Sequence, residues 1–280
     1  MSLLSTLGTR RWLTATALAV AFAVAAGFLG AWQWSRHEDK VAARDRVEAH
    51  YTAEPRPLAQ VVTGTDGRVS ADQEWLRVEA EGRYLTEEQL LVRNRPHHGV
   101  YGYEVLVPLR LTGPDGGTGS PLTVLVDRGW VRNAADATTL PEVPPAPEGP
   151  VTVRGWLRPG EQDLGRQLPA GQLASVNPAA AEAATGLSLL DGYLVLEAEQ
   201  PQQGGGAGAE AAPARPEPLQ PPRTELGTHL AYAIQWWLTA PVGLVLVGVL
   251  ARREHREATG AASSQPRPRR RRRIWDDEDE

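Results

Sequence analysis

The sequence predicts a membrane protein in which two transmembrane α-helices bracket a mainly antiparallel β extracytoplasmic domain, a small barrel or sandwich. Three observations carry this expectation. Residues 12–34 and 231–250 contain no charged side chain. Between them lie six short runs of alternating polar and apolar residues, and these are separated by segments rich in Gly and Pro. The expected order is a cytoplasmic N-terminus (1–11), transmembrane helix 1 (12–34), the β domain (35–199), a Gly/Pro-rich linker (200–228), transmembrane helix 2 (229–250) and a disordered cytoplasmic tail (251–280).

At about 1.5 Å per residue the first uncharged stretch spans about 34 Å, enough to cross a bilayer core with some tilt. A secretory signal is the rival reading, because Arg10 and Arg11 precede the apolar run and "TRRWLT" loosely resembles a twin-arginine signal. The run outlasts an h-region of roughly 7–15 residues and ends in Trp32 and Trp34, which suit a membrane interface, so an uncleaved anchor fits better. The second stretch gives roughly 30 Å of helix. Arg10 and Arg11 before the first helix and Arg252, Arg253 and Arg256 after the second place both termini in the cytoplasm. Arg36, Lys40, Arg44 and Arg46 oppose this, but long translocated domains obey the charge rule poorly.

Beyond the first helix, "RHEDKVAARDRVEAHY" is rich in helix formers and continues it outward until Pro55 and Pro57. Strand-like runs begin at Trp75, Gln89, Tyr101, Leu122, Val151 and Tyr193. "TGPDGGTGSP" reads as an exposed hairpin loop, "LPEVPPAPEGP" as an extended connection, and residues 177–185 as a short helix. Closing the strands into a barrel would hide their edges. With no cysteine, neither disulfide nor thiolate chemistry is available. The net charge is −5, but the C-terminus carries Arg269 to Arg273 and then Asp276 to Glu280. A solvated tail is preferred there over contact with anionic lipid, and no nucleic-acid partner is expected.

Side-chain chemistry points away from an enzyme. There is no Cys nucleophile, G-x-S-x-G elbow, H-E-x-x-H or phosphate-binding glycine loop. Asp127 and Arg128, at the end of a strand, read as an ion pair closing a sheet in preference to an active-site pair. His97 and His98 share a turn, but adjacent side chains diverge and no carboxylate stands near them in sequence, which argues against a metal site. Small residues at Ala15, Ala19, Ala23, Gly27 and Ala31 let a second helix approach the first. On helix 2, His229, Tyr232, Trp236, Thr239 and Gly243 fall within an arc of roughly 80°, forming one stripe. An interfacial helix end explains its aromatic residues, with Trp237 as an anchor off that face. A cofactor face is the alternative that explains the imidazole. Pro241 within the span predicts a bend or a recess.

Four motifs, in order, resemble the Surfeit locus protein family of cytochrome c oxidase assembly factors: "LGAWQWSRHEDK" from Leu29, "VRNRPHHGVYGYEVLVPL" from Val92, "VLVDRGWV" from Val124 and "HLAYAIQWW" from His229. The resemblance covers roughly residues 10–250. It implies a membrane assembly factor that aids haem a insertion into, or maturation of, oxidase subunit I. Implied partners are subunit I, haem a synthesis or assembly proteins, and membrane lipid. It also implies haem a as a transient cofactor, with His229 as the haem-iron ligand and Tyr232 and Trp236 as cofactor-binding neighbours. Trp32, Gln33, Arg36, Asn94, Arg95, Gly99, Gly102, Tyr103, Arg128, Gly129 and Trp130 also match, most of them in structural roles. Thr228 stands where the family often has asparagine. The Pro, Arg and Ala bias suggests a high-GC bacterium and hence its plasma membrane. An extracytoplasmic sensor or scaffold without haem is the reading from another class.

Overall fold

The computed structural model describes residues 7–62, 68–112, 122–136, 139–202 and 214–263. In chain order it contains α1 (Arg10–His50), β1 (Arg56–Pro57), α2 (Leu58–Val61), β2 (Arg77–Tyr84), β3 (Leu90–His97), β4 (Val100–Leu111) and β5 (Thr123–Arg132). There follow β6 (Pro150–Arg158), β7 (Gln172–Leu173), α3 (Pro178–Thr185), β8 (Tyr193–Pro201), α4 (His229–Thr239) and α5 (Val242–Ser263). These elements form two compact units, Met1–Val41 with Glu225–Glu280, and Ala42–Thr224.

The first unit is a pair of helices, each long and apolar enough to cross a membrane. Only 17% and 6% of their most apolar windows is buried, so they present apolar side chains outward, unlike the core helices of a soluble protein. Contacts from Gln33 to His229, Ala19 to Gly243 and Arg11 to Glu254 make the pair antiparallel. Trp12, Ala19, Ala26 and Gly30 line the buried face of α1, and Ala233 and Ala251 that of its partner. The strict four-residue stripe of small residues is only partly used, because each step of four drifts about 40° around a helix. Accordingly Gly27 is half-buried, Ala31 is exposed, and the packed face advances by alternating threes and fours. Pro241 removes one donor, yet Ala240 keeps right-handed helical dihedrals of φ −50° and ψ −48°. Helical hydrogen bonds resume on both sides, Ala240 N–H to Trp236 at 2.9 Å and Val245 N–H to Pro241 at 2.9 Å.

The second unit is a closed barrel. Strands run in the order β2–β6–β8–β5–β4, and β4 returns to β2 through the pairs Gly82↔Leu111, Arg83↔Arg110 and Tyr84↔Leu109. Within the ring only β5–β8 is parallel. The seam needs Gly82, since a Cβ there would run into the Arg110 carbonyl. Beyond the ring, β3 extends β4, and the two-residue strands β1 and β7 add in parallel to β2 and β3. Both are too short to leave a pattern in the sequence.

Alternation along β5 produces two cores. Val124 and Val126 face the inside with Val78, Val105, Val107 and Val153. Leu125 faces the other way and packs with Leu90, Val92, Leu106, Tyr193 and Val195 beneath α3 and β7. Asn177 caps α3 by accepting from the Ala180 N–H at 2.8 Å, and Gly186 ends it in the left-handed conformation. The C-terminal turns of α1 belong to this unit. Val47 is buried, His50 Nδ1 lies 2.9 Å from the Glu74 carbonyl, and the Tyr51 ring stacks on Trp156 at 4.2 Å.

Two expected boundaries shift. Residues 200–228 are not all linker: β8 extends to Pro201, and Glu217 pairs with Trp130 through backbone bonds of 2.7 and 2.8 Å. The tail expected from residue 251 begins as helix, since α5 runs to Ser263. Most of the hairpin loop, residues 113–121, lies outside the described residues, as do linker residues 203–213 and the arginine and acidic blocks.

Candidate functional site

One end of the helix pair is polar. His229 opens α4, and its Nδ1 lies 2.8 Å from Oε1 of Gln33 on α1. An amide oxygen accepts, so the contact assigns the ring proton to Nδ1 and the lone pair to Nε2, a nitrogen that could hold a metal. Thr228 makes no side-chain cap bond, so the amide contact comes from the opposite helix. Trp236 shares the half-buried face with His229, whereas Tyr232 is 47% exposed, outside the packed stripe. Thr239 donates to the Trp236 carbonyl at 3.0 Å. Trp237, off the stripe, lies with its ring 5.8 Å from that of Trp34 and covers Gly30, where a Cβ would collide with the indole. One turn beyond Gln33, His37 is half-buried near Trp34, with ring centroids 6.0 Å apart, and its Nδ1 is buried with no hydrogen-bond partner. Gln33 therefore meets His229 across the helix pair, and Trp34 lies against both His37 and Trp237, where the sequence showed only a stripe on one helix.

In the barrel, Asp127 and Arg128 are not partners. Strand alternation sends them to opposite faces of β5. Arg128, 2% exposed, pairs with Glu199 at 2.7 and 3.2 Å and donates to the Pro144 and Pro145 carbonyls at 3.0 and 3.2 Å. Tyr84 completes the group by donating to Glu199 at 2.8 Å. Burial, and then the charge of Glu199, hold its hydroxyl well above the usual tyrosine range. Gly129 has φ 126°, and a Cβ there would meet the carbonyl of Glu217, so this glycine seats the 214–222 segment. Gly102 likewise makes room for the Trp130 ring, whose Nε1 donates to the Arg95 carbonyl at 2.9 Å. Arg128, Gly129, Trp130 and Gly102 thus build the barrel.

The outer face of β3, β4 and β5 carries a buried charge cluster. Arg95 bridges Glu104 at 2.5 Å and Glu161 at 2.7 Å. Burial opposes its charge, but the two carboxylates prevail and raise its pKa. Asp127 accepts from the Gly129 N–H at 3.1 Å through Oδ1, while Oδ2 is buried without a partner. Burial, then the charge of Glu104, push Asp127 well above the carboxylate range, and burial raises Glu104 despite Arg95. These groups, with Trp75, Arg158 and Tyr193, line a cavity of about 240 Å³.

His97 and His98 do not diverge. Their ring centroids are 4.5 Å apart, and the Glu217 Oε1 lies 3.1 Å from His97 Nε2 and 3.9 Å from His98 Nε2. Sequence distance hid this, since Glu217 stands about 120 positions downstream.

The SURF1 family model matches residues 20–240. Uncharacterized SURF1-like proteins of Mycobacterium bovis and Mycobacterium tuberculosis are 31% identical to the chain over 266 residues, which is 92% of this chain and 89% of theirs.

Proposed function

The chain belongs to the SURF1 family, which is associated with cytochrome c oxidase assembly, and from that premise we propose that it assists haem a insertion into, or maturation of, oxidase subunit I. The observation that carries the haem role is the 2.8 Å contact between Gln33 and His229 Nδ1. It does for His229 what outer-shell partners do for metal-ligating histidines, fixing the tautomer and ring orientation so that Nε2 can bind iron. Haem a, when bound, is the cargo, and its own electronic chemistry is used only after transfer to the oxidase.

The surrounding residues fit a flat apolar ligand. Trp34, Trp236 and Trp237 supply aromatic surface, and Gly30 keeps the helices close. The orphaned Nδ1 of His37 is a second nitrogen at the same end of the pair. Tyr232, exposed beside His229 on α4, offers a further aromatic contact. Holding haem by one well-oriented imidazole on a partly exposed helix end suits a carrier, which must release its cargo. No catalytic step is required of the chain.

The antiparallel pair places Arg11 beside Glu254 at 3.8 Å, so the arginines flanking both helices share one end. This supports both termini lying in the cytoplasm of a bacterium, the helices in its plasma membrane and the barrel outside, where it would meet nascent subunit I. The test is to delete the gene and measure the haem a content and activity of the oxidase. Both are expected to fall and to be restored by the wild-type chain but not by His229→Ala present at equal membrane levels. A fully active oxidase at normal abundance in the deletion strain contradicts the proposal.

A further inference from the structure

We propose that His97, His98 and Glu217 form a binding site for a divalent transition-metal ion of the zinc class, which fastens the 214–222 segment to the β3–β4 hairpin. One donor atom from each residue lies within 4.8 Å of the others, and the set of two imidazoles and one carboxylate is the kind that zinc accepts. Three protein ligands leave the fourth tetrahedral position for water or a partner's side chain.

A second observation is independent of that spacing. The His97 side chain is 4% exposed, and its Nε2 is buried without a hydrogen bond. Its neighbour Glu217 Oε1, at 3.1 Å, is close enough for an ion pair but out of line for a hydrogen bond. A buried imidazole nitrogen that faces a carboxylate without bonding to it is the arrangement a shared cation resolves. The ligands are also pre-positioned. His97 stacks on Trp130 with centroids 5.1 Å apart, and Glu217 is held by its two backbone bonds to that same residue. His98 adopts φ 46°, which brings its ring to the side of its neighbour in place of the opposite face.

To test this, the full chain is purified in detergent, stripped with chelator and titrated with zinc sulfate alone by calorimetry, with cobalt(II) absorption as a report of coordination. One ion per chain should bind, with a tetrahedral cobalt spectrum. His98→Ala, at an exposed position, and Glu217→Gln should each weaken binding by about tenfold or more while far-UV dichroism stays unchanged. His229→Ala should leave the affinity as it is. Absence of saturable binding to the wild-type chain overturns the proposal, and so does binding that neither His98→Ala nor Glu217→Gln weakens.

Discussion

Replacing Arg128 by methionine separates a structural from a functional reading of the "VDRGW" motif. The guanidinium is almost fully buried, and removing it leaves the Glu199 side chain, 6% exposed, as a buried charge whose remaining donor is Tyr84. Breaking a buried pair from one side costs about 3–5 kcal/mol, and the Pro144 and Pro145 carbonyls lose their donors as well. For a unit the size of residues 42–224, where about 1 kcal/mol shifts Tm by about 2–4 °C, the midpoint should drop by about 6–20 °C. The assay is thermal unfolding of the full chain in detergent, followed by tryptophan fluorescence. Adding Glu199→Gln should recover part of the loss, because the amide still accepts from Tyr84 and no buried charge remains. A midpoint for Arg128→Met within about 2 °C of wild type would show that the buried pair does not hold the barrel together, as would a double variant less stable than the single one.

Three further outcomes follow from the same geometry. Gly129→Ala should cost about 1–3 kcal/mol from its φ of 126° and release Glu217, seen as faster amide exchange at Glu217 and Trp130. Gly30→Leu should displace Trp237 and part the helix pair, read as loss of fluorescence coupling between Trp34 and Trp237 and of haem binding, while barrel unfolding is unchanged. Asp127 has its pKa raised by burial, so its protonated form is the one the fold favours, and its contribution is complete below about pH 4 and lost as pH rises through the folded-state value. The Asp127 contribution to barrel stability should therefore fall with pH above about 4, and Asp127→Asn should remove that part of the pH dependence; an identical pH dependence in the variant would contradict this role of Asp127.

The barrel was legible because its information is local: alternation along "VEAEGRY" or "LTVLVDRGWV" and the cap "NPAA" each specify an element without reference to the rest. Closure through Gly82 was not legible, because it depends on Arg110 arriving from another strand. The same holds for the site. His229 stands out on its own helix, but its partner Gln33 lies 196 positions away, and an amide between two tryptophans reads equally well as an interfacial residue. The stripe that included Tyr232 assumed a ligand face independent of helix packing. In the structure Ala233 is buried and Trp237 meets Trp34 of α1, while Tyr232 lies on the exposed side of α4. Adjacency in sequence makes Asp127 and Arg128 look like an ion pair, but neighbours on a strand face opposite ways, and Arg128 pairs with Glu199.

Whether His229, oriented by Gln33, holds haem a is decided by the absorption spectrum of the full chain purified from cells that make haem a. Wild type should carry a haem a Soret band, His229→Ala should lose it, and Gln33→Leu, which cannot accept from Nδ1, should retain only part of it. An undiminished band in correctly folded His229→Ala would contradict the assignment.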